Sequence, residues 1–237
     1  MLKRTVAIVL LLSGLMANAF AQAQEKPADR ALAWFAQIEE RDFADYLKRV
    51  RLPKVSETFK AQVLANLARG KEVKPSTSRQ AELATLGPVL RYHEREAVIE
   101  IKVVALDRVF VGLQGRSALL ISEKALQLLT TGELQATAAH ELAHEYFWGE
   151  YQEARQRKQY DRMREIELLC DGIAVITLER LGLDPAHLIS GLQKIRLINS
   201  RVEELDKDTH PLPDERFKFI RALAKLVKVR DAAVPSS

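Results

Sequence analysis

Cysteine is nearly absent from this sequence, with Cys170 the single example among 237 residues. The chain can form neither an internal disulfide nor a thiolate zinc finger, so any metal site must rest on histidine and carboxylate side chains. Aromatic residues are only 6% of the chain and the formal net charge is +4, which disfavours a nucleic-acid-binding surface. With 10 glycines, 8 prolines and 47% hydrophobic residues, disordered and collagen-like classes are disfavoured too. One domain, or a domain with a helical annex, is expected.

Long apolar runs are also lacking. A membrane span needs roughly 18 to 20 apolar residues, and no run in the sequence reaches that length. Near the start, two basic residues precede an apolar run at 6–12 and small residues at 17–21, the layout of a secretory signal peptide. We predict a signal peptide over residues 1–21, although cleavage after Ala19 or Ala23 satisfies the same small-residue rule, and a membrane anchor is the less favoured alternative. The mature chain is expected without a transmembrane span in an exported compartment, with the bacterial periplasm as the natural one.

Three regions follow the signal segment. Residues 22–90 carry apolar side chains at helical spacing, which predicts a helical annex. Residues 91–230 mix short β-branched stretches with longer helical patterns, and residues 231–237 are expected to form a flexible tail. The overall expectation is an α+β fold. The strand candidates are residues 98–104, 109–111 and 119–121.

Capping signals place the helices of the second region. Ser122 can begin a short helix, and Thr130 and Glu133 fit a capping box for a longer helix that is expected to continue through Trp148. A charged stretch at 153–164 leads into a further helix ending near Gly182. Asp184 and the proline after it then begin the next helix. We expect the chemistry on the helix capped by Thr130.

This helix contains an H-E-x-x-H motif, formed by His140, Glu141 and His144. Residues four apart lie one turn apart on one helical face, so both imidazoles can bind a single ion. Glu141 then lies beside the open position of the metal, where it can act as a general base toward water. A pair of surface histidines is the alternative, but the small and apolar residues at 134–139 place the motif in a buried helix.

A catalytic zinc ion usually takes three protein ligands, so a third is needed. Glu167 and Asp171 are four apart on the following apolar helix and hence share a face. We expect Glu167 to bind the ion, while Asp171 accepts a hydrogen bond from the far nitrogen of His140. Glu165 is the alternative ligand. Cys170 is rotated away from that face and is expected to be inert core filler.

H-E-x-x-H followed by E-x-x-x-D resembles the gluzincin metalloproteases of the HtpX-like and CAAX prenyl protease family. A third match is the segment 209–216, which is similar to the Thr-His-Pro and Glu-Arg segment near the end of those proteins. The resemblance implies a zincin-like core in which His210 contacts the oxyanion and Arg216 supports the site. It also implies that the last short strand, residues 118–122, is an edge strand that pairs with extended substrate.

The resemblance covers residues 98–220 and is that of a soluble, exported branch. One departure is the stretch 107–110, Asp-Arg-Val-Phe, where the family often has Asn-Ala-Phe. His93 and His187 match no family motif and are expected to be surface or structural residues. For His210 the alternative is a loop histidine that caps the next helix.

These observations predict a zinc-dependent endopeptidase with one zinc ion per chain. His140, His144 and Glu167 hold the ion, Glu141 is the general base, and water attacks the peptide carbonyl without a nucleophilic side chain. Polypeptides are the expected partners, and the resemblance implies misfolded or unassembled exported proteins in envelope quality control. The alternative is a zinc-bound periplasmic chaperone or adaptor with weak or no proteolysis.

Overall fold

The computed structural model of the chain describes residues 26–38, 43–67, 72–200 and 209–232. Over these ranges it is an α+β fold that is mostly helical, with one small mixed sheet. The signal-peptide prediction lies outside the described residues, as do positions 233–237 of the predicted tail. Within the described ranges, no helix combines the length and the apolar character that crossing a membrane requires.

In the described part of the chain, five helices precede the sheet, as the helical spacing of the apolar residues predicted. Phe35 and Phe43 are fully or almost fully buried in the first two, whereas the third has no buried residue. The first helix packs against the long helix at the centre of the protein. The five are α1 (Pro27–Ala36), α2 (Phe43–Val50), α3 (Glu57–Asn66), α4 (Thr77–Ala84) and α5 (Gly87–Tyr92).

The sheet consists of β1 (Glu100–Val104), β2 (Val111–Gln114) and β3 (Ala118–Ser122) in the order β1-β3-β2. β1 is parallel to β3 and β2 is antiparallel to it, so β3 is hydrogen-bonded on both sides. The expectation that residues 118–122 form an edge strand is therefore wrong. The chain thus places β3 between β1 and β2, so β2 is an edge strand of the sheet that the described residues form.

Six helices follow the sheet among the described residues: α6 (Glu123–Leu128), α7 (Thr131–Ala143), α8 (Trp148–Gln156), α9 (Tyr160–Arg180), α10 (Ala186–Asn199) and α11 (Pro213–Ala232). Thr130 and Glu133 form the predicted capping box at the start of α7, with their side chains bonded to each other's backbone amides. Ser122 caps α6 through its own side-chain oxygen. α9 crosses the core, with fourteen buried residues, and packs against α1, α7, α8 and α11.

The helix capped by Thr130 ends at Ala143, so the expectation that it continues through Trp148 is wrong. After Ala143 the backbone amides bond to carbonyls three residues back, which tightens the turn. The side chains of Glu145 and Tyr146 point inward there and bond to Arg95 and His93. These contacts turn the chain before α8 begins at Trp148.

Candidate metal centre

The centre is built first by α7, which is buried along nearly its whole length. His140 and His144 lie one turn apart, with ring centroids separated by 5.1 Å. The backbone at His144 is still helical although α7 ends at Ala143, so the four-residue spacing keeps both rings on one face. Ligand atoms of His140, Glu141 and His144 all lie within 4.8 Å of one another, and this group could hold a metal ion.

α9 brings Glu167 to the same place. Its Oε2 lies 3.3 Å from Nε2 of His140, and its Oε1 lies 3.7 Å from Nε2 of His144. The side chain is only 3% exposed, and Oε2 is a buried oxygen without a hydrogen-bond partner among the described residues. Burial disfavours the charged carboxylate, but the surrounding His210, His144 and His140 hold the pKa of Glu167 well below its usual value. A buried anion thus faces two imidazole nitrogens.

Asp171 lies one turn further along α9 and contacts the other nitrogen of His140. Its Oδ1 is 2.8 Å from Nδ1 of His140, and its two oxygens accept hydrogen bonds of 2.6 and 2.7 Å from Arg216 at the start of α11. Asp171 is fully buried and Arg216 is 8% exposed. Burial opposes the charge on Asp171, yet the guanidinium and His140 lower its pKa. The carboxylate therefore fixes the His140 ring so that Nε2 points toward Glu167.

The two histidines differ in their electrostatic surroundings. Burial disfavours the imidazolium form of His140, but the nearby carboxylates of Asp171 and Glu167 raise its pKa to about 9. Burial dominates for His144 and lowers its pKa. A metal ion at this site would replace the proton on Nε2 of His140. The other ring nitrogen, Nδ1, would keep its proton and donate it in a hydrogen bond to Asp171.

Glu141 occupies the boundary between this cluster and the sheet. Its side chain is partly exposed, and Oε2 accepts a hydrogen bond of 3.1 Å from the backbone amide of Leu113 in β2. Glu141 and Glu167 are therefore not equivalent, because Glu141 faces β2 and Glu167 is buried beside the rings of His140, His144 and His210. Both carboxylates lie close to the two imidazoles, so either one can complete a set of three donors.

The segment before α11 brings His210 to the rim of the cluster. Its side chain is 41% exposed, Nε2 lies 3.8 Å from Oε2 of Glu167, and Nδ1 pairs with the hydroxyl of Thr209 at 2.9 Å. Cys170 is fully buried, but its sulfur lies 3.5 Å from Nδ1 of His144, a contact that the sequence did not predict. Burial raises the pKa of this thiol well above its usual value, so it is a poor nucleophile.

Glu165, the alternative ligand, is not brought to the centre. Its carboxylate is paired with Arg30 at 2.9 Å and with Arg162 at 2.7 Å, on a different face of α9. The pair with Arg30 joins α9 to α1, the pair with Arg162 lies within α9, and together they bind both carboxylate oxygens. The carboxylate of Glu165 therefore has a structural role rather than a place at the metal centre.

Two further histidines also lie outside the centre. His93 is 1% exposed, and its ring lies between the hydroxyls of Tyr146 and Thr177 at 2.9 and 3.1 Å. Burial and the nearby Arg51 and Arg95 lower its pKa to about 3, so His93 is a neutral buried residue. The ring of His187, in contrast, is partly exposed beside Gly132 at the start of α7.

An ion-pair network that the sequence did not predict ties α7 to the sheet. Glu145 is 3% exposed and binds Arg95 and Arg116, the latter at 3.1 Å. Arg116 lies in the β2–β3 turn with a φ of 55°, and its guanidinium also donates to the carbonyl of Pro53. Glu145, the residue after His144, thereby binds the turn that follows β2 through Arg116. An isolated acid beside a motif carries no periodic signal by which a sequence could reveal such a role.

The donor set fits a metal ion, because two imidazoles and a buried carboxylate with an unpartnered oxygen converge in one place. The geometry alone does not name the metal. No protein-family model matches the chain, and no curated protein shows significant similarity to it.

Proposed function

We propose that the protein is a zinc-dependent endopeptidase. The single observation that carries the proposal is the position of Glu141, which belongs to the group that could hold a metal ion and also accepts a hydrogen bond from the amide of Leu113 in the edge strand β2. His140, His144 and Glu167 would hold the ion, and imidazole with one carboxylate suits zinc better than magnesium or calcium. Asp171 and Arg216 would keep His140 in the required orientation.

A bound zinc ion would supply Lewis acidity and would lower the pKa of water toward neutrality. The residues of the chain perform the other steps. Glu141 takes a proton from the attacking water and passes it to the leaving amide nitrogen. His210, at the rim, is placed to donate to the oxygen on which negative charge develops.

The edge of β2 offers a binding site for an extended peptide. A strand added to a sheet edge gains main-chain hydrogen bonds that do not depend on its side chains, which suits an endopeptidase of broad specificity. Because the amide of Leu113 already bonds to Glu141, a peptide along this edge passes directly over the general base. β2 therefore takes the role that the family resemblance assigned to residues 118–122.

The proposal extends to fold family and location. Strands that lead into the H-E-x-x-H helix, followed by a helix bearing the third ligand, support a zincin-like core of the HtpX-like type. The layout of residues 1–21 supports export, and misfolded or unassembled exported proteins are the proposed substrates.

The direct test compares Glu141→Gln with the wild type. The amide keeps the shape of the side chain and removes the base, so we expect unchanged zinc content and loss of casein digestion. Glu123→Gln is the matched control, because Glu123 is an exposed glutamate in the first turn of α6. Failure of the zinc-loaded wild type to digest any polypeptide, with suppression of aggregation instead, would favour the chaperone function.

A further inference from the structure

The backbone groups of β2 alternate between its two sides. The amide of Ser122 donates to the carbonyl of Phe110, so in the antiparallel pairing the even-numbered residues of this stretch face β3. The amides and carbonyls of Val109, Val111 and Leu113 therefore point away from the sheet. The bond from the Leu113 amide to Glu141 agrees with this orientation.

Asn199, near the end of α10, binds this outer edge at Val109. Its side-chain oxygen accepts from the Val109 amide at 3.0 Å, and its side-chain nitrogen donates to the Val109 carbonyl at 2.7 Å. The side-chain amide thus makes the same pair of hydrogen bonds that a neighbouring strand would make. Any strand that follows β2 meets Asn199 at this point.

The open part of the edge is consequently short. Among the described residues, the remaining outward groups are the amide and carbonyl of Val111 and the carbonyl of Leu113. At about 3.4 Å per residue, Asn199 lies roughly 14 Å along the strand from the position opposite Leu113. About three residues of a bound peptide fit between these two points.

We propose that Asn199 ends the substrate-binding edge and limits how far a peptide follows β2 on the carboxyl side of the cleaved bond. This inference rests on the proposed function. The carboxyl side is assigned because antiparallel pairing is the more stable and more frequent arrangement, and it directs the carboxyl end of the peptide toward Val109. The enzyme then favours peptide bonds about three residues from the carboxyl terminus of the substrate. In longer substrates it favours bonds after which the chain leaves the β2 edge before it reaches Asn199.

The test uses zinc-loaded Glu141→Gln, which binds without cleaving, and peptides with two, four or eight residues after the cleaved bond. When Asn199 is present, lengthening the peptide beyond about three residues after the cleaved bond should give no gain in affinity. Asn199→Ala exposes the Val109 groups, so the longest peptide should bind about tenfold more tightly through two additional hydrogen bonds. Extension on the amino side should affect both proteins equally.

Two matched variants control the comparison. Gln193→Ala removes an exposed side-chain amide from the same helix and should change nothing. Asn199→Asp keeps an acceptor for the Val109 amide and should keep the length limit. In proteins with a wild-type Glu141, mass spectrometry of the products should show cleavage moving further from carboxyl termini only in Asn199→Ala.

The outcomes separate this inference from the proposed function. If the parent protein gains affinity steadily up to eight residues, Asn199 does not end the edge and the inference is wrong, even if cleavage occurs. If the length limit is observed but the zinc-loaded wild type cleaves no peptide, the inference about the edge stands and the endopeptidase function fails.

Discussion

Replacing Asp171 with asparagine should weaken metal binding and destabilise the fold for two separable reasons. Asp171 is fully buried and bonds to both Arg216 and the Nδ1 of His140. The Asp171→Asn substitution keeps the size of the side chain but leaves the guanidinium without its carboxylate. It also removes the negative charge that orients His140 and makes it a stronger ligand.

The expected magnitudes follow from these contacts. Arg216 is 8% exposed and keeps Oε2 of Glu167 at 3.9 Å, but the loss of its bidentate partner Asp171 should still lower the free energy of unfolding by about 3–5 kcal/mol. Loss of a carboxylate behind a metal-bound histidine typically reduces metal affinity about 10- to 100-fold. The structural effect acts through Arg216, whereas the effect on metal affinity acts through His140.

A double variant distinguishes the two effects. Asp171→Asn combined with Arg216→Met removes the unpaired charge, so stability in urea should largely recover while zinc affinity, measured by chelator competition, stays low. Recovery of zinc affinity together with stability would show that Asp171 acts only as a structural partner of Arg216. Unchanged zinc affinity in Asp171→Asn would refute the role given to its contact with His140.

Three further predictions concern other residues. Glu167→Ala should lose zinc measured by metal analysis, whereas Glu165→Ala should keep it and lose only stability; the reverse result would move the third ligand to Glu165. His210→Ala should lower kcat by about 10²- to 10³-fold with zinc content unchanged, and parallel loss of zinc would instead make His210 a ligand. The pKa of His93 is about 3 in the folded protein, below its unfolded value of 6.5. Its contribution to the free energy of unfolding is therefore fully present above pH 6.5 and declines as the pH falls toward 3. Wild type should lose about 2 kcal/mol more than His93→Gln between pH 6.5 and 5, and equal pH dependence in urea unfolding would contradict the buried neutral state.

Local patterns in the sequence predicted the parts of the site that depend on helical geometry. The four-residue spacing of His140 and His144 and that of Glu167 and Asp171 place each pair on one face whatever the rest of the fold does. The capping box at Thr130 likewise depends only on neighbouring residues. These predictions are confirmed because each depends only on residues within one continuous stretch of helix.

The parts that depend on tertiary pairing could not be predicted in this way. Three short strands in a row do not reveal which lies in the middle, so residues 118–122 were expected at an edge that β2 in fact occupies. The end of α7 depends on Glu145, whose inward turn requires Arg95 and Arg116 from distant segments. Asn199 lies 90 residues beyond Val109, and no local pattern connects them.

Proton transfer by Glu141 in a zinc-dependent hydrolysis is the step on which the proposed function depends. The most direct measurement is zinc content and peptide cleavage on the same preparations of wild type and Glu141→Gln. We expect one zinc ion per chain in both proteins and cleavage by the wild type alone. Equal cleavage by the two zinc-loaded proteins would show that Glu141 is not the general base.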